Sequence, residues 1–161
     1  MSDAPRVWRA GPREANEVTR LLLEFRDWNE GAGPGEAEMR GSVKRLMVDP
    51  DTEFLLAAPA QPAAAAGVCQ LRFRHSVWTS SDDCWLEDLF VEERARGKGL
   101  GRTLVLAAVE RATARGARRI ELDTSESNTS AIALYESLGF SATSKTHGPL
   151  RGRDLFMGRR L

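Results

Sequence analysis

The chain has 161 residues, 42% hydrophobic and 29% charged, enough to bury a sizeable core in one domain spanning residues 1–161. Lysine plus arginine total 23 and aspartate plus glutamate total 23, and this balance argues against a nucleic-acid binder or an anionic-membrane binder. Two cysteines, Cys69 and Cys84, without a CxxC or a His/Cys cluster argue against a disulfide framework and a metal site.

The first ten residues hold no apolar core segment, and no later run approaches the roughly 20 residues that span a bilayer. A reduced, cytoplasmic setting is the resulting expectation. Val7 and Trp8 suit a first strand, broken at Gly11-Pro12. From Pro12 to Trp28, Val18, Leu21, Leu22 and Phe25 recur at helical spacing. Asn29 to Gly35 carries three glycines and a proline and is a loop. A second helix runs from Glu36 to about Val48, stopped by Asp49-Pro50. Glu53 to Ala58 is a short apolar strand, followed by an Ala/Pro-rich turn through Ala66. Gly67 to His75 alternates as a half-exposed strand should, and Trp78 to Asp83 is polar and turn-like. Cys84 to Val91 is a strand, Leu100 to Arg115 a helix, and Ile120 to Asp123 a strand. Asn128 to Leu138 is a helix ending at Gly139, and Asp154 to Met157 is a last strand. The order β-α-α-β-β-β-α-β-α-β describes an α/β sandwich with about four helices.

The segment from Arg94 to Arg102, RARGKGLGR, joins a strand to a long helix. Glycines let the backbone take positive φ and turn several N–H groups into one concavity. The helix N-terminus behind them adds free N–H groups and the positive end of a dipole. Arg94, Arg96, Lys98 and Arg102 make this the densest positive cluster of the chain. These features together describe a pyrophosphate site. A Walker A loop is excluded because Lys98 is followed by Gly99, not Ser or Thr. The dinucleotide fingerprint fails too, since Gly97, Gly99 and Gly101 are spaced G-x-G-x-G and follow several earlier elements. A plain helix cap with solvated arginines is the competing reading.

Arg96-x-x-Gly99-x-Gly101, preceded by Leu86-Glu87-Asp88-Leu89-Phe90-Val91, resembles the acetyl-CoA-binding motif of the GNAT superfamily of N-acetyltransferases. Downstream, Asn128-x-x-Ala131-x-x-Leu134-Tyr135-x-x-Leu138-Gly139-Phe140 is similar to the second motif of that family. The resemblance is strong from Trp85 to Phe140 and weaker in the N-terminal third. It implies a central, mixed, mostly antiparallel sheet splayed open in the middle. It implies acetyl-CoA as co-substrate, with pantetheine pairing near Leu89, Phe90 and Val91 and pyrophosphate on Arg96, Gly97, Lys98, Gly99, Leu100, Gly101 and Arg102. Many members of the family pair as homodimers, although nothing in this chain marks an interface.

An alkyl amine has a pKa near 10.4, so at pH 7 only about one molecule in 10³ is a neutral nucleophile. A positioned carboxylate removes that obstacle. Glu87 and Asp88 are the acids of the central strand, and alternation sends them to opposite faces unless a bulge intervenes. Similarity to polyamine-type members with a Leu-Glu-Asp stretch points to Glu87 as base, with Asp88 at the substrate. The resemblance also makes Tyr135, the one tyrosine of the chain, the proton donor to the leaving sulfur, and makes Asn128 a coenzyme A contact. Core packing and helix capping are the other roles these two residue types fill.

The acceptor site of this fold is usually shaped by the first two helices and their loop, which here hold Asp27 and Trp28. Trp78 and the acids after it could add to that site. Aromatics beside acids suit a cationic amine. The expected reaction is direct acetyl transfer to a primary amine, on a small cationic molecule. A protein lysine or N-terminal acetyltransferase and a non-catalytic acyl-CoA-binding module are the alternatives. His75 and His147 are expected to be solvated or structural, with His147 able to border the acceptor.

Overall fold

In the computed structural model, which describes residues 4–60 and 63–141, the backbone separates into two units, Met1–Ser125 and Glu126–Leu161. The expected strand Asp154–Met157 and His147 lie outside the described residues.

The first unit is built on a five-stranded sheet in the order β1-β2-β3-β4-β5. Its strands are β1 (Arg6–Arg9), β2 (Thr52–Ala58), β3 (Gly67–Ser76), β4 (Ser81–Val91) and β5 (Arg119–Glu121). The first three pairings are antiparallel, and β4 pairs with β5 in parallel. This is the mixed, mostly antiparallel sheet that the resemblance implied. The β4–β5 ladder covers only Asp83↔Arg119, Cys84↔Ile120 and Trp85↔Glu121. The ladder ends where β5 itself ends, at Glu121, so the sheet is not closed and the rest of β4 has no strand partner on that side among the described residues.

Helices cover both faces of the sheet. On one face lie α1 (Ala15–Trp28) and α2 (Glu36–Met47). Val18, Leu21 and Leu22 of α1 and Val43 of α2 pack with Phe54, Leu56, Val68 and Phe90 of the sheet. Each such side chain contributes roughly 1.5–3 kcal/mol when fully buried. On the other face lies α3 (Leu100–Ala114), whose Leu100, Leu104, Val105 and Ala108 are buried. A Cβ on Gly67 would meet Leu104 Cδ1 at 3.0 Å, so α3 sits directly on β3.

Cover on two faces explains why β3 is buried through most of its first seven residues instead of half-exposed as its alternation suggested. The Trp78–Asp83 stretch, expected as a turn, already belongs to β4 from Ser81. Polar contacts between side chains hold these residues in the ladder. His75 Nδ1 lies 3.5 Å from Asp82, and Arg119 Nη2 lies 2.6 Å from Asp83. Pro12–Glu14 forms a 3-10 turn before α1, closed by Glu14, which accepts from the Gly11 N–H and the Trp8 indole.

The second unit contains α4 (Thr129–Ser137). Asn128 caps it, its side-chain oxygen accepting from the Ala131 N–H at 3.4 Å.

Candidate active site

One irregularity in β4 governs the placement of its two acids. Leu71 pairs with Leu86, and Gln70 pairs with Asp88, so Glu87 is an extra residue in the strand. Such a bulge reverses which face the following side chains take. Cys84 and Leu86 stand opposite Phe73 and Leu71 on the α3 face, whereas Asp88 and Phe90 stand opposite Gln70 and Val68 on the α1/α2 face. Glu87 is exposed.

Asp88 opens into a cavity of about 240 Å³ in the first unit. Leu22, Phe25, Met39, Val43, Leu46 and Phe54 form its apolar wall. Gln70, 5% exposed, lies beside Asp88 in the register and on the same lining. Burial is the main cause that pushes the Asp88 carboxyl up to about 6, with the negative charges of Glu87 and Asp123 adding to it. A carboxyl at that value is still mostly ionised at pH 7 and is a far stronger base than a solvated aspartate.

Past Trp85 the β5 side of β4 has no strand partner among the described residues, which leaves the backbone of Leu89 to Val91 as an open edge. The chain then turns through Glu93–Ala95 into the glycine-rich loop and α3. Gly97 has φ +74° and Gly99 has φ +80°, conformations that favour glycine. A Cβ at either would meet nothing within 4 Å, so the loop is open to a ligand. Gly99 is the N-cap of α3 and brings no side chain to its free N–H groups, and the first turn of the helix holds no acid. A helix start without its own anion fits a phosphate. The residues present therefore suit the pyrophosphate of a coenzyme A thioester.

The basic residues around that loop divide their work. Arg94 Nη2 lies 2.5 Å from Glu92, whose other oxygen accepts from Arg20 of α1. Arg96 folds back, donating from Nε to the Val91 carbonyl at 3.1 Å. Its guanidinium lies 5.2 Å from the Trp28 ring centroid and 5.9 Å from that of Phe90. Phe25 stacks on Phe90 at 5.3 Å and on Trp28 at 6.1 Å. Trp28, expected at the acceptor, thus stands on the loop side, and Phe25 joins the loop to the cavity. Lys98 and Arg102 are exposed.

Two further acceptor candidates are not brought to Asp88. Trp78 occupies the β3–β4 turn and is 93% exposed. The strand from Ser81 to Asp88 alone spans about 23 Å at ~3.3 Å per residue, so Trp78 is remote from the cavity. Asp27 accepts from Arg26 at 2.7 Å and points to solvent, while Arg26 and Asn29 line the cavity in its place. The sequence reading missed Gln70 and the α2 residues Met39, Val43 and Leu46. A glutamine between Cys69 and Leu71 in an apolar strand was the available signal. Cys69 and Cys84 are free and buried. Desolvation pushes both thiols up, that of Cys84 to about 12, so neither is an acyl carrier at neutral pH.

In the second unit Tyr135 is buried, its ring 5.8 Å from that of Phe140, and it lies two turns along α4 from Asn128.

Several known proteins are similar to this chain. A mycothiol acetyltransferase of Gordonia bronchialis is 32% identical over 135 residues, covering 81% of this chain and 41% of that protein. The chain thus spans about two-fifths of that relative. A thialysine N-epsilon-acetyltransferase of Bos taurus is 28% identical over 152 residues, covering 84% of this chain and 86% of that protein. A solved chain from Arthrobacter sp. FB24 that carries a provisional acetyltransferase name matches with a TM-score of 0.81 and 29% identity, over 100% of this chain and 97% of that one. The aminoglycoside N-acetyltransferase AAC(6')-Iy, solved with CoA, shares the fold with a TM-score of 0.78 at 20% identity, over 100% of this chain and 98% of that one. The model of the acetyltransferase (GNAT) family matches residues 15–140. The chain belongs to the acetyltransferase (GNAT) family.

Proposed function

We propose that this chain, as a single domain of residues 1–161, is an acetyl-CoA-dependent N-acetyltransferase acting on the primary amine of a small cationic molecule. The observation that carries the reading is one strand with two adjacent features. The Asp88 carboxyl faces an apolar cavity, and the same strand, ending at Val91, leads through Glu93–Ala95 and the glycine-rich loop into the open, acid-free start of α3 at Leu100. Asp88 is the base in this reading, in preference to the exposed Glu87. Burial holds the Asp88 carboxyl high, and the charge of Glu87 adds to that effect.

Bound acetyl-CoA supplies an activated thioester. The chain contributes binding, orientation and proton handling. The Gly97–Arg102 segment holds the pyrophosphate, and the free edge at Leu89, Phe90 and Val91 accepts the pantetheine amides. Asp88 takes a proton from the ammonium, so that the amine lone pair can attack the thioester carbonyl carbon. The new C–N bond forms as the C–S bond breaks, and the second amine proton leaves to solvent. Tyr135 gives its phenolic proton to the departing sulfur, and solvent restores it. The products are an amide and the free thiol, with one net proton released.

Thiol release from acetyl-CoA with a primary-amine panel tests the reading. Activity that falls about 10²-fold or more in Asp88→Asn, with acetyl-CoA affinity kept, supports it. Undiminished turnover in that variant would remove Asp88 from the mechanism.

A further inference from the structure

The cavity beside Asp88 has a composition that goes further than "an amine". Its apolar wall is formed by two residues of α1, three of α2 and Phe54, with Asn29 and Ser42 as uncharged polar residues beside it. Asp88 is the one acid lining it among the described residues. Arg26 contributes a cation to the same lining, tethered by Asp27 and by the Pro34 carbonyl, which accepts from Nη1 at 2.7 Å. A molecule with a second ammonium would have to strip water from that charge with no acid opposite it. An apolar body, in contrast, gains roughly 25 cal/mol for each Å² it buries against this wall. The cavity, of about 240 Å³, has room for a small organic body beside the amine. Gln70 beside Asp88 offers a carbonyl oxygen, a second acceptor for one ammonium group.

We infer that the acceptor is a monoamine with a compact apolar body, of the arylalkylamine type, and that Met39, Val43 and Leu46 of α2 set this preference against diamines and polyamines. The inference rests on the proposed transfer at the same cavity, and its test reads binding, so the two can fail separately.

The experiment is calorimetry on the full chain, with and without coenzyme A, titrating 2-phenylethylamine and 1,4-diaminobutane. The natural chain is expected to bind 2-phenylethylamine at least tenfold more tightly. Met39→Glu sets a second acid on the half-buried wall and is expected to shrink that ratio at least fivefold. Ser42→Glu, at an exposed position of the same helix that also lines the cavity, makes the same change if Met39→Glu does not fold. Equal or tighter binding of the diamine by the natural chain, no binding of 2-phenylethylamine, or a ratio unmoved by the added acid would overturn the inference. Absence of thiol release with either amine, alongside the expected binding ratio, would instead overturn the transfer reading and leave the amine preference standing.

Discussion

The Asp88 carboxyl carries the pH behaviour of the site. Burial, with Glu87 and Asp123, raises it to about 6, so the basic form accumulates as pH rises through that value. kcat/KM is therefore expected to rise tenfold per pH unit below about 6 and to level above it, and pH profiles of thiol release check this. Because the folded value lies above the unfolded one, ionised Asp88 opposes folding. The Asp88→Asn chain should gain stability relative to the natural chain as pH rises from 4 to 7, a difference that thermal melts at several pH values measure. Trp28 gives a second prediction at this scale. Removing its ring in Trp28→Ala frees Arg96 and is expected to raise the KM for acetyl-CoA about two- to fivefold with kcat little changed, as a cation–π contact of ~0.5–1 kcal/mol implies. A kcat loss without a KM change would place Trp28 at the acceptor instead. The sequence named both Glu87 and Asp88 and raised a bulge as the condition for departing from alternation. Choosing between them required the pairing Leu71↔Leu86 and Gln70↔Asp88, and a bulge has no local sequence signature here.

At the scale of elements, the strand–loop–helix unit was legible because glycine and charge announce it locally. Gly99→Ala should cost about 1–2 kcal/mol of stability from the left-handed backbone alone, since its Cβ meets no neighbour. It should also weaken acetyl-CoA binding roughly tenfold, measured by calorimetry beside a thermal melt. The helices and buried strands were legible for the same reason, that their apolar spacing is local. The cavity was not. It forms from α1, α2, β2, β3 and β4 together, and nothing in the spacing of Met39, Val43 or Leu46 says which sheet residue they will face. Polar β-turn composition likewise hid the start of β4, because the side-chain partners of Asp82 and Asp83 are His75 and Arg119, seven and thirty-six residues away. Another cross-element contact is the buried Glu53 carboxylate, gripped through two 2.7 Å bonds by Arg111 of α3. Burial alone would raise its carboxyl, but Arg111, with Arg9 and Arg115, holds it below the usual range. Glu53→Ala is expected to destabilise the fold by about 1–3 kcal/mol in chemical denaturation, because it removes the acceptor of Arg111 and empties a buried site, while the partly exposed Arg111 can still be hydrated.

For the whole molecule, zero formal net charge means that function depends on where charge is placed. Positive residues gather at one loop, and a lone acid lines the cavity among the described residues. Among those residues no helix is long and apolar enough to cross a membrane. Tyr135, of the second unit, is the proposed proton donor, and its part in the transfer can be tested by itself. Tyr135→Phe is expected to lower kcat at least tenfold and leave acetyl-CoA affinity unchanged, and pre-steady-state thiol release separates those two quantities. The most direct measurement is an acetyl-CoA titration of the folded full chain by calorimetry, with NADH and ATP alongside. The account predicts micromolar acetyl-CoA binding and no comparable response to the other two. A folded chain that binds no acetyl-CoA would contradict it and reduce the glycine-rich loop to a plain helix cap.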